Sequence, residues 1–439
     1  MPKGYRPYLP EQELLLPQSL RDWLPEDHLA YFVSEVADQL DLRAIYAVYE
    51  RELRGQPPYD PLMMTKLLLY AYCVGVYSAR KIQQRLVEDV AFRVLAAGNR
   101  PDFRTLSDFR KIHLGALEGL FEQLLKIVLE TGAMKLGRVA LDGTKIKANA
   151  SKHKAMSYER MKEQEKLIRA QVKELLARAE ATDAEEDTLY GQDKRGDELP
   201  EELRRRETRL RRIREAKQAL EERARQEAEG RQEGESKSAG GGEPRPKMQY
   251  NFTDPESRIM KSHEGFVQGY NAQIVVEADF QLIVGQGVTQ AANDKEQVVP
   301  MVEAVEEQSG QRPDTLLADS GYCSEKNLEH LESDSVPKRK IAAYVATGRQ
   351  KHGEEPLAPR GPLPKGASRV ERMRRKLQTK VGAAIYAARK AIVEPVFGQI
   401  KQARGFRGFS LRGLKKVRSE WAIVCLGHNI LKLYRICLA

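Results

Sequence analysis

The chain has 439 residues, 41% hydrophobic and 31% charged, with a net charge of +10. That length exceeds one small core and points to two or three domains, and the positive balance favours a polyanionic partner. Four cysteines, with no C-x-x-C pair and no histidine at zinc-finger spacing, argue against a disulfide framework or a structural zinc site.

The opening MPKGYRPYLPEQELLLPQSL has charges and prolines where a signal peptide needs an apolar core. No run of 18 or more apolar residues follows, so a soluble, cytoplasmic protein is expected. Residues 1–135 read as helical. SLRDWLPEDHLAYFVSEVADQL repeats apolar residues at helical intervals, and DPLMMTKLLLYAYCVGV opens with Asp60 as N-cap and Pro61 at the first helical position. YSARKIQQRLVEDVAFRVL is expected to start a helix at Ser78 with Arg80, Lys81 and Arg85 on it. RTLSDFRKIHLGALEGLFEQLLKIVLE has Thr105 and Asp108 at capping-box spacing. Such helices suit a DNA-binding domain and an ordinary bundle equally well.

At GRVALDGTKIKAN the pattern turns to alternation, and Val139 to Leu141 is expected to form a strand with Asp142 at or just past its end. Residues 152–248 look inserted. Met161, Ile168, Val172, Leu175 and Ala179, then Leu203, Leu210, Ile213, Leu220 and Ala224, mark two helices of an antiparallel coiled-coil hairpin. It serves as a spacer or dimerisation arm, or its arginines touch DNA. GESKSAGGGEPRPK then reads as a flexible linker.

YNAQIVVEADFQLIVGQGVTQ predicts a β-hairpin around Glu277–Asp279. A helix with Pro300 in its first turn, a short strand from Thr315 to Ala318, Asp319 and a further helix follow. Residues 337–370 read as irregular and the remainder as helical. Without the insertion the order is β-β-β-α-β-α, that of a mixed-sheet, RNase H-like α/β core whose first and fourth strands are neighbours. The expected domains are therefore 1–135, helical; 136–151, the start of the core; 152–248, the insertion and linker; and 249–439, the rest of the core with basic C-terminal helices.

Asp142 and Asp319 each end an apolar strand, and neighbouring strands would bring them together. Glu394 in RKAIVEPVFGQIKQARGF supplies a third carboxylate from a helix. Three such groups resist joint ionisation unless a cation sits among them, and Mg²⁺ suits oxygen donors in phosphoryl chemistry. Taken singly, each also suits a turn or a helix cap. From Arg389 to Ala439 eleven Lys/Arg stand against two acids, which supports a DNA partner. His113, His263 and His428 read as structural.

ALDGTKIKANAS, LLADSGYCSEKN and RKAIVEPVFGQIKQARGFRGFSLRG together resemble the three catalytic blocks of bacterial insertion-sequence DDE transposases. The branch it is most similar to has a helical N-terminal domain and a C-terminal block Y-x2-R-x3-E-x6-K. The resemblance implies Asp142, Asp319 and Glu394 as a metal-binding catalytic triad loaded with Mg²⁺, or Mn²⁺. It implies DNA contacts from Lys401, Arg389, Lys390, Tyr386, Arg404, Arg407, Lys145 and Lys147. The implied substrate is double-stranded DNA, bound at inverted repeats, cleaved by hydrolysis and joined through its 3′-OH to a target by a homodimer or higher oligomer. A nuclease of the same fold that cuts without joining, and an inactive DNA-binding relic, are the alternatives. Lys401 falls at the motif's Lys position. Strict spacing asks for Tyr and Arg at positions occupied by Ala387 and Lys390, whereas Tyr386 and Arg389 each stand one residue early. One residue is about 100° around a helix, so Lys390 is a candidate to replace the Arg.

Overall fold

The computed structural model describes residues 19–50, 57–132, 134–190, 201–229, 243–262, 265–332, 340–348, 361–364 and 366–438. His263 and residues 234–242 of the expected linker lie outside these.

The N-terminal region holds α1 (Leu29–Asp38), α2 (Arg43–Tyr49), α3 (Pro61–Cys73), α4 (Ala79–Glu88), α5 (Val90–Leu95), α6 (Phe103–Ile112) and α7 (Leu114–Glu130). Asp60 caps α3 as expected, accepting from Met63 N at 2.8 Å. Two predicted long helices are each broken. Asp89 is extended between α4 and α5 and accepts from Ala91 N, so a cap interrupts the periodic run. The cap of α6 is Asp102, which accepts from Arg104 N and Thr105 N; Thr105 already lies inside the helix. On α4 the expected basic face is partly engaged: Arg80 stacks on Phe103 and Arg85 pairs with Asp89.

Next come β1 (Arg138–Lys147), β2 (Ala155–Ser157), α8 (Tyr158–Tyr190), α9 (Glu201–Glu229), β3 (Gln249–Asn251), β4 (Arg258–Ser262), β5 (Gly265–Glu277) and β6 (Ile283–Thr289). They are followed by α10 (Val298–Ser309), β7 (Thr315–Ala318), α11 (Glu325–Glu332), β8 (Ala342–Val345), α12 (Arg369–Leu377), α13 (Lys380–Gly398) and α14 (Leu414–Leu438). The sheet runs β6-β5-β1-β7-β8, with β4 paired to the outer end of β5. β5 lies antiparallel to β1, while β7 lies parallel to it, so the two strands expected to be neighbours are; β4, absent from the expected order, makes β7 the fifth strand of this sheet in chain order. β8 falls within the stretch expected to be irregular. Its four residues are too few for alternation to stand out, and it is held by parallel pairing to β7.

One apolar cluster runs from the N-terminal helices through both faces of the sheet to α14. Trp421, Val424, Cys425, Leu426 and Ile430 of α14 are fully buried in it, and Trp421 donates from Nε1 to the Gln273 carbonyl. By length and composition α14 could cross a membrane, yet 56% of its apolar window is buried within the protein.

The inserted helices form a separate small cluster. Met161, Ile168, Leu210, Ile213 and Leu220 are buried there, joined by Ala216. Tyr158 donates to Glu221, and Glu165 takes Arg214 and Lys217, so α8 and α9 pair antiparallel. The side chains of Ala179 and Leu203 lie outside the described residues.

Candidate active site

Asp142 is not at the end of its strand. It is the fifth residue of β1 and remains paired to β5, opposite Ile274. What ends there is the other ladder: β7 pairs with β1 only from Arg138 to Leu141, and Ala318 is the partner of Leu141. Asp142 and Asp319 are thus the next residues on two parallel neighbours, on strands about 4.8 Å apart and pleated to the same face. The chain leaves the sheet at Asp319, whose Oδ1 accepts from Gly321 N at 2.8 Å in a 3₁₀ turn over Ser320–Tyr322.

Helix α13 covers this face. Arg389 donates through one terminal nitrogen to Asp142 Oδ2 at 3.3 Å, and its other terminal nitrogen lies 3.8 Å from Glu394 Oε1. Its side chain is 10% exposed and that of Glu394 55%, so the guanidinium is buried beneath an accessible carboxylate. Burial opposes the charge on Arg389, but Asp142, Tyr386 and Asp319 outweigh it and hold the guanidinium above its ordinary range. Tyr386 stands beside Arg389 on the same helix and is among the groups that favour its charge. Despite standing one residue early, Tyr386 and Arg389 reach the site, and Lys390, exposed, lines the same cleft beside Asp319. A long, jointed side chain tolerates a register change that a short one does not.

Glu394 lies deep in α13 rather than in a first turn. Pro395 has no N–H to give to the Ala391 carbonyl. Gln281 Nε2 donates to that carbonyl instead, at 2.8 Å. The helix then widens into a π turn over Gln399–Ala403. From it Lys401 donates to Thr144 Oγ1 at 2.8 Å, two residues beyond Asp142 and on the same face of β1.

Burial, with Asp319 and Asp294 adding to it, pushes the Asp142 carboxyl up to about 6 against the pull of Arg389 and the Gly143 N–H. This carboxylate is short of compensating positive charge. The donors on offer are oxygens only, the kind a hard divalent cation takes, but among the described residues no three of them are gathered into a metal-binding group, and Arg389 stands between Asp142 and Glu394.

The opposite face of β1 carries a network that sequence reasoning missed. Asp294 accepts from Asn271 Nδ2 (2.6 Å) and Gln273 Nε2 (2.8 Å) and pairs with Lys145 at 3.2 Å. Tyr322 donates to Gln273 Oε1, tying the Asp319 turn to the same group. Gly143 makes room for it, because a Cβ there would stand 2.2 Å from Gln273 Nε2. Lys145 is therefore paired with Asp294 at the edge of a cleft that it also lines. The available signal was Asn271 and Gln273, two polar residues at period two in a buried apolar strand.

Two clefts flank the carboxylates. One, of about 380 Å³, is lined by Lys145, Lys147, Lys401 and Arg407 without an acidic side chain. The loop carrying Arg407 zips onto the end of β1, with Phe409 N donating to the Lys147 carbonyl at 2.8 Å. The other, of about 770 Å³, lies beside Asp319 and is lined by Arg374, Tyr386, Arg389 and Lys390. Arg404 turns away from both. It donates to the Val424 carbonyl beside Cys73, Tyr77 and Cys425, and burial pushes its guanidinium below the usual range. It is a packing residue, in contrast to the expected DNA contact.

Sequence comparison now bears on this geometry. A family model described as a transposase domain (DUF772) matches residues 18–112, and one described as a transposase DDE domain matches residues 227–430. The chain is a DDE transposase. No curated protein and no solved structure matches it significantly. The transposase's DDE match contains Asp319 and Glu394 and begins downstream of most of the inserted hairpin. Asp142 lies outside it; the strand register joins it to Asp319, and Arg389 lies between it and Glu394.

His428 and His113 of the transposase are buried and structural. Nε2 of His428 faces the Gln281 carbonyl at 3.0 Å, and that of His113 faces the Tyr49 hydroxyl at 3.0 Å.

Proposed function

We propose that the transposase binds the inverted repeats of a mobile element, hydrolyses a phosphodiester at each end and joins the freed 3′-OH to target DNA. The observation that carries this is the register of β1 on β7, which makes Asp142 and Asp319 neighbours under Glu394 and Arg389.

Asp142, Asp319 and Glu394 would hold Mg²⁺, or Mn²⁺. When bound, such ions activate the attacking oxygen and stabilise the leaving one during in-line displacement at phosphorus. Lys401, Lys147 and Arg407 line one side of the cleft and hold the backbone phosphates there. Arg389 and Lys390 face the other side, and Tyr386 positions the Arg389 guanidinium, whose planar fork suits a phosphate. In the first step water adds to phosphorus, the 3′-oxygen leaves with the proton, and a 5′-phosphate remains. In the second, the 3′-OH displaces a 3′-oxygen of the target and forms the new phosphodiester. No side chain forms a covalent link to DNA.

The fold divides into the helical N-terminal region (1–135), an RNase H-like core (136–151 and 249–439) and a coiled-coil insertion (152–248). Two DNA ends suit a homodimer or a higher symmetric assembly. A strand-transfer assay with labelled ends taken from DNA flanking the gene tests the proposal. Mg²⁺-dependent release of 3′-OH ends and their appearance in a target plasmid are expected. Cutting without joining would leave a nuclease, and full activity in Asp319→Asn or Glu394→Gln would contradict the site.

A further inference from the structure

The inserted hairpin carries a second cationic concavity. A 3₁₀ turn over Lys152–Lys154 leads into β2, and the β2–β3 ribbon lies along α9. Between them is a groove of about 350 Å³ bordered by His153, Lys154, Arg160, Arg209 and Arg212, all exposed, with no acidic side chain in its lining. Arg209 and Arg212 stand three residues apart on one face of α9. Met156, Ile213 and Phe252 form an apolar floor, and Ile213 is anchored in the hairpin's own cluster.

The groove is built rather than draped. Phe252 N donates to the Lys154 carbonyl at 3.1 Å, and Asn251 Nδ2 donates to the Ser151 carbonyl at 2.8 Å. These bonds fix the basic turn against the ribbon. Like charges gathered around one concavity repel, and a polyanion relieves that cost.

Its position relates it to the catalytic cleft. Lys147 lines that cleft and Lys154 lines this groove, and the chain between them spans seven residues. Even fully extended, seven residues reach no more than about 25 Å, which is about seven base pairs of B-DNA. Arg412 lies along the same path, donating from Nε to the Asn149 carbonyl at 2.9 Å.

We propose that this groove is a second DNA-backbone site. It grips phosphates of the duplex whose scissile bond lies at the carboxylates, within about one helical turn of them, so the insertion acts as a clamp on the substrate. The proposal rests on DNA being the substrate and goes beyond that reading in giving the insertion a part in binding it.

The test uses the full chain and a fluorescein-labelled duplex of arbitrary sequence, about 30 base pairs long, with anisotropy followed across a salt series. Arg209→Glu/Arg212→Glu is expected to bind about tenfold more weakly at moderate salt, with a log–log salt slope smaller by about 2. Arg209→Lys/Arg212→Lys is expected to keep the wild-type slope. Unchanged melting of the exposed double variant shows that it folds. An unchanged slope in the charge-reversed variant, with wild type binding normally, overturns the groove alone. A change in mass by light scattering at unchanged slope makes the face a subunit contact and likewise overturns it. Wild type that binds no DNA overturns the groove and the substrate reading together.

Discussion

The core sheet and the inserted hairpin are stabilised by different means. The core buries large side chains from the N-terminal helices, both sheet faces and α14 in one continuous cluster. Among its described residues the hairpin has a separate cluster of seven buried side chains, and its central polar feature is Glu165, shared by Arg169, Arg214 and Lys217. The comparison shows where rigidity is invested. Because the carboxylates sit on elements of the large cluster and the hairpin has its own small one, the hairpin is expected to open locally before the core does. A metal site that needs fixed donors belongs on the first, and a clamp that must admit DNA belongs on the second.

The largest expected effect separates chemistry from stability. Asp142→Asn removes a charge from the rigid region without changing its shape. DNA cleavage should fall by about 10³-fold or more while the melting temperature holds or rises, since the carboxylate is buried among other acids. A cleavage assay beside a thermal melt checks both halves.

Next in size is a matched pair of truncations. Trp421→Ala should cost about 3–5 kcal/mol and lower the single global melting transition. Ile213→Ala should cost about 2 kcal/mol, felt in hydrogen exchange of α8 and α9 and not in the sheet. Faster exchange in β1 from the hairpin variant would erase the distinction.

Gly143→Ala probes the two faces of β1 against each other. Its Cβ would push Gln273 from Asp294 and Tyr322, at about 1–3 kcal/mol. Lost cleavage with retained DNA binding is the expected outcome in activity and anisotropy measurements.

The last effect, absent at neutral pH and growing only in acid, is a pH dependence of the core. Burial drives the His428 imidazole down to about 3, and the carbonyl of Gln281 requires its Nε2 to carry a proton while the ring stays neutral. Above the unfolded value, about 6.5, both states are neutral and nothing is lost. Below it only the unfolded chain takes up a proton, so this part of the stability falls progressively toward pH 3. Chemical denaturation at a series of pH values should show that decline, and His428→Gln should flatten it.

Much of this was legible in the sequence because it depends on local pattern. Thr315–Ala318 is an apolar run ended by a carboxylate, and it forms β7 at those bounds. The hairpin of β5 and β6 and the helical pair of the insertion follow from periodicity. What stayed hidden depends on partners distant in sequence. β1 extends past Asp142 because β5 continues to pair with it, a fact no window around Asp142 contains. Asp294 in NDKE looks like a loop residue until Asn271, Gln273 and Lys145 are folded onto it. Arg404 resembles its basic neighbours, and only tertiary packing turns it inward. The offset of Tyr386 and Arg389 argued against them in a regular helix, yet the reach of the arginine side chain offsets it.

The central claim is that Asp142, Asp319 and Glu394 share one metal site. Replacing Mg²⁺ by Fe²⁺ and generating hydroxyl radicals cuts a polypeptide beside its bound ion. Mass spectrometry of the fragments should place the cuts near all three residues in the wild-type transposase and lose all of them together in Asp142→Asn. Cuts at one or two of the segments only, or a pattern unchanged by Asp142→Asn, would contradict a shared site.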